Sequence, residues 1–416
     1  MKVLVLNCGS SSVKFQLFDA ENENTVMAKG LLEKIGSTDA IVNYVPKDKN
    51  KLREIREVLN HETAIEIMLS LLLHSQHGVI RKKEDIDAVG HRVVHGGEEF
   101  SRSVLISDAV KAAIQKCIQF APLHNPHNLK GIEACEMLLP GVPQVAVFDT
   151  AFHHTIPSKA FLYGLPYTLY KKLGIRRYGF HGTSHRYVAE KAAEFLGRPI
   201  QELKLITCHL GNGASITAVD GGKSVDTSMG FTPLEGLVMG TRCGDIDPAI
   251  VPYIMEKENL STKQVDSIMN KNSGMLGLTG TSNDMREIIT EVERGSEQHR
   301  LAVEIYCYRV RKYIGSYMAA MGGVDAIVFT GGIGENSVPI RTLTFEGLER
   351  LGIEIDPEKN QNHQTDISKG KVKVLVVPTN EELAIVEDTV ALLNHNENSI
   401  PVQSPRKTCL AKKNKG

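Results

Sequence analysis

The apolar positions of the chain follow two periods. Short continuous or alternating apolar runs at residues 2–6, 13–18, 86–94, 144–149, 204–210, 215–220, 325–330 and 371–378 have the length and β-branched content of strands. Between them, 184–197 and roughly 301–321 carry the spacing of an amphipathic helix. Thr183 or Ser184 is placed to cap the first of these helices, and Gly197 followed by Pro199 to stop it. Strands alternating with helices predict an α/β protein. Glycines gather where strand runs end, at 96–97, 211–213, 221–222 and 331–334, so loops leave the predicted sheets by sharp turns.

Two strand pairs echo each other. VLVLNCGSSSVKFQLFD (3–19) and CHLGNGASITAVDGG (208–222) both run apolar strand, Gly-rich polar turn, apolar strand, closing Asp (Asp19, Asp220). A chain of 416 residues is too long for one ordinary core. The echo therefore predicts two similar halves.

Composition narrows the function classes. A net charge of −1 supplies no global field for nucleic acid or an anionic membrane. No apolar run is long enough to span a bilayer, and the first residues pass into a strand without a signal peptide's pattern. Cysteines 8, 117, 135, 208, 243, 307 and 409 are odd in number and lack CxxC spacing, which reads as reduced thiols in a cytoplasmic protein. No HExxH occurs, so His124, His127, His153 and His154 are expected to pack or hydrogen-bond. Residues 395–416 lose periodicity and are expected to form a disordered basic tail.

The candidate chemistry lies at strand ends. The Gly9 hairpin offers backbone N–H groups and the hydroxyls of Ser10 and Ser12 to an anion, with Lys14 just beyond. Alone it reads as no more than a tight polar-tipped turn. The second hairpin, His209, Leu210, Gly211, Asn212 and Gly213, is what suggests a polyphosphate gripped from two sides. GxxxxGK[ST] is absent, so ATP would be held by another architecture. FTGGIGENS (329–337) supplies a third glycine element, read either as a strand-to-helix turn or as an approach to a ribose or flat ring. Arg92 and Arg242 fall in glycine-rich loops, where guanidinium suits carboxylate or phosphate. Asp149 ends the strand QVAVFD, where an exposed carboxylate is often functional; Asn7, His181 and Glu381 also mark strand or helix ends.

NCGSSSVKF, GHRVVHGG, VFDTAFH, YGFHGTSH, HLGNGAS, DTSMGFTPLEGLVMGTRCGDIDP, SNDMREI, FTGGIGENS and PTNEEL together, in this order from residue 1 to about 390, resemble the acetate kinase family. The resemblance implies the fold of the actin, sugar kinase and heat-shock chaperone ATPases: two similar α/β domains around an active-site cleft. The first would be 1–150, with a helix at 382–394 packing back on it. The second would be 151–381 and hold the nucleotide. By the same resemblance, Arg92 and Arg242 hold acetate and the phosphoryl group in transit with help from His181, and Asp149 is the catalytic carboxylate. Asn7 and Glu381 would sit at Mg²⁺, or Mn²⁺ in its place. Residues 209–213 would meet the phosphates, and Asp284, Met285, Arg286, Gly332, Ile333, Gly334, Glu335 and Asn336 the nucleotide. Val94, Leu123, Phe180 and Pro233 match the pocket for the acetate methyl. A homodimer is implied by the family alone, with no nucleic-acid or membrane partner.

The implied reaction is reversible, in-line phosphoryl transfer from ATP to acetate, giving ADP and acetyl phosphate. A carboxylic acid titrating near ~4 is already ionised at neutral pH and needs no general base. Asp149 is therefore expected to organise metal-bound water or steer the acceptor. The charge of the moving phosphoryl would fall to Arg92, Arg242, His181 and Mg²⁺. Propionate or butyrate kinase is the nearest alternative, and Val94 leans towards acetate because a longer acid calls for a smaller residue there. A non-catalytic ATP-gated module and a sugar kinase are the more distant ones.

Overall fold

The computed structural model describes residues 1–397. Among them, the first sheet comprises β1 (Lys2–Cys8), β2 (Ser12–Asp19), β3 (Thr25–Glu33), β4 (Ser37–Pro46), β5 (Leu52–Val58), β6 (Ala88–Val93), β7 (Val104–Leu105) and β8 (Gln144–Phe148), in the order β5-β4-β3-β2-β1-β6-β8-β7. The second comprises β9 (Lys204–Leu210), β10 (Ala214–Asp220), β11 (Lys223–Thr227), β12 (Ala326–Thr330) and β13 (Lys373–Val376), ordered β11-β10-β9-β12-β13.

One connectivity is used twice. β1 pairs antiparallel with β2 and parallel with β6, which runs parallel to β8. β9 pairs antiparallel with β10 and parallel with β12, which runs parallel to β13. The echo between the two hairpins is thus structural. Register then fixes cross-strand neighbours: Asn7 faces Lys14, and His209 faces Ser215.

Both faces of β1 are covered, which is why its apolar run is continuous. Leu4 and Leu6 join Ile65, Met68 and Cys135 on one face; Val3 and Val5 join Ile385 and Val386 on the other. The helix bearing Ile385, Glu381–Glu397, lies against β1 and β6. It sits so close that a Cβ on Gly90 would come within 2.5 Å of Ile385 Cγ2. This helix runs past the end expected at residue 394; the remainder of the expected tail, from 398, lies outside the described residues.

The structure departs from the sequence pattern in several places. β3, β4, β5, β7 and β11 had no expected counterpart; β5, LREIREV, is a charged and mostly exposed edge strand whose polarity hides its alternation. The longest helix, Glu297–Met321, begins one turn before its apolar period. FTGGIGENS folds as the end of β12 followed directly by a short helix, Gly331–Asn336. Helix Gly182–Leu196 starts after His181, which takes a left-handed conformation (φ 56°) and gives no side-chain cap. Thr183 and Ser184 lie inside the helix, and the Ser184 hydroxyl is engaged elsewhere, by His209 and Thr379.

Candidate active site

Parallel pairing of β1, β6 and β8 brings their carboxyl ends side by side, the place where α/β sheets collect ligands. Asn7 comes from β1, Arg92 from β6 and Asp149 from the residue after β8. Arg92 is a strand residue, not a loop residue. Its Nε donates to Asp149 Oδ1 at 3.0 Å and its Nη2 to Oδ2 at 2.6 Å, while Nη1 reaches Asn7 Oδ1 at 3.4 Å. Glu381 Oε2 lies 3.7 Å from the same Nε. Asp149 is 1% exposed, so the carboxylate expected at the surface is buried and paired. Burial pushes its carboxyl above the usual range, opposed by the Arg92 charge. Lys14 forms an ion pair with Glu382. A cavity of about 240 Å³ gathers Asn7, Lys14, Arg92, His181, His209 and Glu381.

Arg242, from the second half of the chain, stands beside His181. Its Nη1 donates to the Pro233 carbonyl at 2.7 Å, and its Nη2 lies where a Cβ on Gly213 would be only 2.7 Å away. The same Cβ would touch the His181 ring at 3.5 Å, so Gly213 makes room for both side chains. His181 is anchored across the cleft, because the Gly182 N–H donates to the Asp149 carbonyl at 2.9 Å. A Cβ at Gly182 would stand 2.2 Å from that oxygen. The His181 ring stacks on His209 with centroids 4.3 Å apart. Enclosure, and then the charges of His209, His185, Arg92 and Arg242, hold its pKa well below 6.5. His181 is therefore neutral at pH 7 and offers an N–H dipole rather than the charge expected of it. His124, expected to pack or hydrogen-bond, has its pKa lowered by burial and then by the Arg92 charge. Nothing in LHNPH marks that effect.

Val94 and Phe180 are buried in one apolar cluster with Ala121. Leu123 is 53% exposed, and Pro233 is partly buried. A second cavity, about 1120 Å³, brings together Gly211, Asn212, Asp284, Met285, Arg286, Gly332, Ile333 and Asn336. Ile289, Val338 and Gln361 also line it, and no motif flagged them; Asn283, within SNDMREI but not singled out there, lines it too. Asp284 caps helix Met285–Glu293 and pairs with the Arg286 guanidinium, whose hydrogen bonds hold its carboxyl down to about 2. Leu210 and Gly334 are buried in the fold and line neither of these cavities. Glu335 Oε1 accepts from the N–H groups of Gly331 (2.9 Å) and Thr379 (3.1 Å), so its carboxylate braces two loops inside the protein. Ser10, exposed at the hairpin tip, and Ser12 also line neither cavity.

The Acetokinase family model matches residues 2–387. The chain belongs to the acetokinase family. It is 57% identical to the acetate kinase of Methanosarcina acetivorans, over 94% of this chain and 96% of that protein. It superposes on the crystal structure of Porphyromonas gingivalis acetate kinase with a TM-score of 0.90 at 48% identity, covering 94% of this chain and 99% of that one. A propionate kinase from Francisella tularensis gives 0.89 at 46% identity, with the same coverage. The two α/β sheets of like connectivity are thus a fold this chain shares with solved acetate and propionate kinase structures.

An acetokinase uses ATP and a divalent cation, and the residues here suit one. The Asn7 amide oxygen and the carboxylates of Asp149 and Glu381 all turn towards one positive group, the Arg92 guanidinium. An all-oxygen donor set of this kind fits a hard cation. Among the described residues no cluster of three or more His, Cys, Asp or Glu forms a full cage. The set therefore matches an ion that takes most of its ligands from water and substrate phosphates.

Proposed function

We propose that the chain transfers the γ-phosphoryl group reversibly between ATP and acetate, in line, giving ADP and acetyl phosphate. The observation that carries the reading is that His181 shares a cavity with Arg92, from the first sheet, and meets Arg242, from the second half, over Gly213. Two guanidinium groups there suit a reaction that brings two anions together and spreads charge over three equatorial oxygens.

In this reading the nucleotide lies along the larger cavity, with its phosphates passing the 209–213 hairpin towards the Arg92 cavity. The acetate methyl rests against Val94 and Phe180, with Leu123 and Pro233 completing the pocket, and its carboxylate faces Arg92. Arg242 and the neutral His181 N–H follow the phosphoryl oxygens as it moves, which requires no proton transfer. Asn7, Asp149 and Glu381 would hold Mg²⁺, which when bound offsets phosphate charge. Asp149 also keeps Arg92 aimed at the acceptor. Residues 1–150 with the last helix, and 151–380, act as two lobes that close to exclude water. A homodimer and a cytoplasmic setting belong to the reading on family grounds.

Purified protein supplied with ATP, Mg²⁺ and hydroxylamine tests it against acetate, propionate and butyrate. Acyl hydroxamate should form with the highest kcat/KM for acetate. A higher value for propionate reassigns the acceptor, and ATP turnover without any acyl phosphate overturns the reaction.

A further inference from the structure

Behind His181 lies a run of buried groups that the reaction as described does not use. His181 Nδ1 is 2.9 Å from Ser215 Oγ, and the same oxygen is 2.7 Å from His185 Nε2. His185 Nδ1 is in turn 2.7 Å from Thr207 Oγ1. Thr207, His185 and Ser215 are fully buried. Their positions follow from the fold: Thr207 and Ser215 sit on β9 and β10, and His185 lies one helical turn after His181.

Proton counting constrains this chain. A serine hydroxyl has one proton, and Ser215 stands between two imidazole nitrogens. Both rings donating to Ser215 would leave its O–H without an acceptor among the described contacts. Neutral rings leave two arrangements that use the Ser215 proton within the chain. In one, Ser215 donates to His181 Nδ1, His185 Nε2–H donates to Ser215, and Thr207 donates to His185 Nδ1. In the other every bond is reversed, and Thr207 must send its proton to its remaining acceptor, the Thr217 carbonyl, at 3.5 Å. That contact is at the limit of a hydrogen bond, whereas the contact to His185 is short. The first arrangement satisfies every buried group, and an unsatisfied buried polar group is costly.

We propose that Thr207, His185 and Ser215 act as positioning residues, a one-way hydrogen-bond chain that holds His181 as the Nε2–H tautomer and so presents a donor to the cleft. The opposite tautomer would turn a bare nitrogen lone pair towards the phosphoryl oxygens and repel them. The left-handed backbone of His181 and its stack on His209 fix the ring plane, while the chain behind it fixes the proton. The inference rests on the acetate kinase reading for its catalytic consequence, but the tautomer itself does not.

The experiment is ¹⁵N NMR of histidine-labelled full-length protein, with the His181 signals assigned by their loss in His181→Asn, alongside steady-state kinetics. Wild type should show a protonated, pyrrole-type Nε2 and a bare, pyridine-type Nδ1 at His181. Ser215→Ala and Thr207→Val should each give mixed tautomers, and Thr207→Ser should restore the wild-type pattern. For Ser215→Ala, kcat should fall about 10-fold or more, short of the ~10²–10³-fold for losing one transition-state donor outright because mixed tautomers keep part of it, with the KM for ATP unchanged. If Ser215→Ala does not fold, the Thr207→Val and Thr207→Ser pair carries the test. A protonated Nδ1 in wild type, or variants that leave both tautomer and kcat unaltered, overturns the proposal. Failure of the acetate kinase reading would show instead as no acyl phosphate from a wild type with the expected tautomer.

Discussion

Arg92 holds Asp149 by two parallel contacts, at 3.0 and 2.6 Å, and Asp149 has almost no exposure to water. A carboxylate so engaged orients a guanidinium; it is badly placed to collect a proton. Asp149→Asn should therefore lower kcat on the order of 10²-fold or more without a pH-dependent rescue. Raising the divalent cation concentration should recover part of the loss. Recovery on raising pH alone, measured in a kcat–pH profile, would instead make Asp149 a base.

Arg242 is tied to the protein by one main-chain contact, to Pro233, which leaves the rest of its fork for substrate. Arg242→Ala should lower kcat by at least ~10²-fold. Arg242→Lys should recover little, since an ammonium cannot reproduce the planar fork. Near-normal turnover in either variant removes Arg242 from the site.

Gly213→Ala probes the same side chain from below. The new methyl would stand 2.7 Å from Arg242 Nη2 and 3.5 Å from the His181 ring. Arg242, the flexible neighbour, should yield, so kcat falls while the melting temperature stays close to wild type. A large loss of Tm with normal kcat in the folded fraction would show that the glycine serves stability.

Val94→Ala should raise the propionate-to-acetate ratio of kcat/KM. One methylene in an apolar pocket is worth ~1–3 kcal/mol, so the change should reach roughly 10-fold. An unaltered ratio would place the acyl group elsewhere.

Acid stability should be set by buried neutral histidines. Burial holds His91, His153 and His209 at about 4 and His95 at about 3. Unfolded, each returns to ~6.5 and binds a proton the native state refuses. Their contribution is thus complete above pH ~6.5 and is lost as pH falls towards 4. Calorimetry near pH 5 should find histidine uptake of at least about four protons on unfolding, with buried His181 and His185 adding to these. A melting temperature flat across that window contradicts it.

The residues legible in the sequence were those whose role depends on local chain direction. Asn7 and Arg92 lie near the ends of their strands and Asp149 directly follows its own, and the two hairpins announced themselves by turn composition. What stayed hidden depends on partners far along the chain. Arg92 buries Asp149 across 57 positions, and Thr379 engages Glu335 across 44. Neither pairing leaves a mark in either local stretch. The neutral state of His181 likewise comes from enclosure and neighbouring charges rather than from YGFHGTSH.

The last described helix carries a consequence for biosynthesis. Its Ile385 and Val386 complete the apolar layer over β1 and β6, and its first turn brings Glu381 to Arg92 and Glu382 to Lys14. Until residues 381–397 leave the ribosome, the earliest-made strands keep an uncovered greasy side and Lys14 lacks the carboxylate of Glu382.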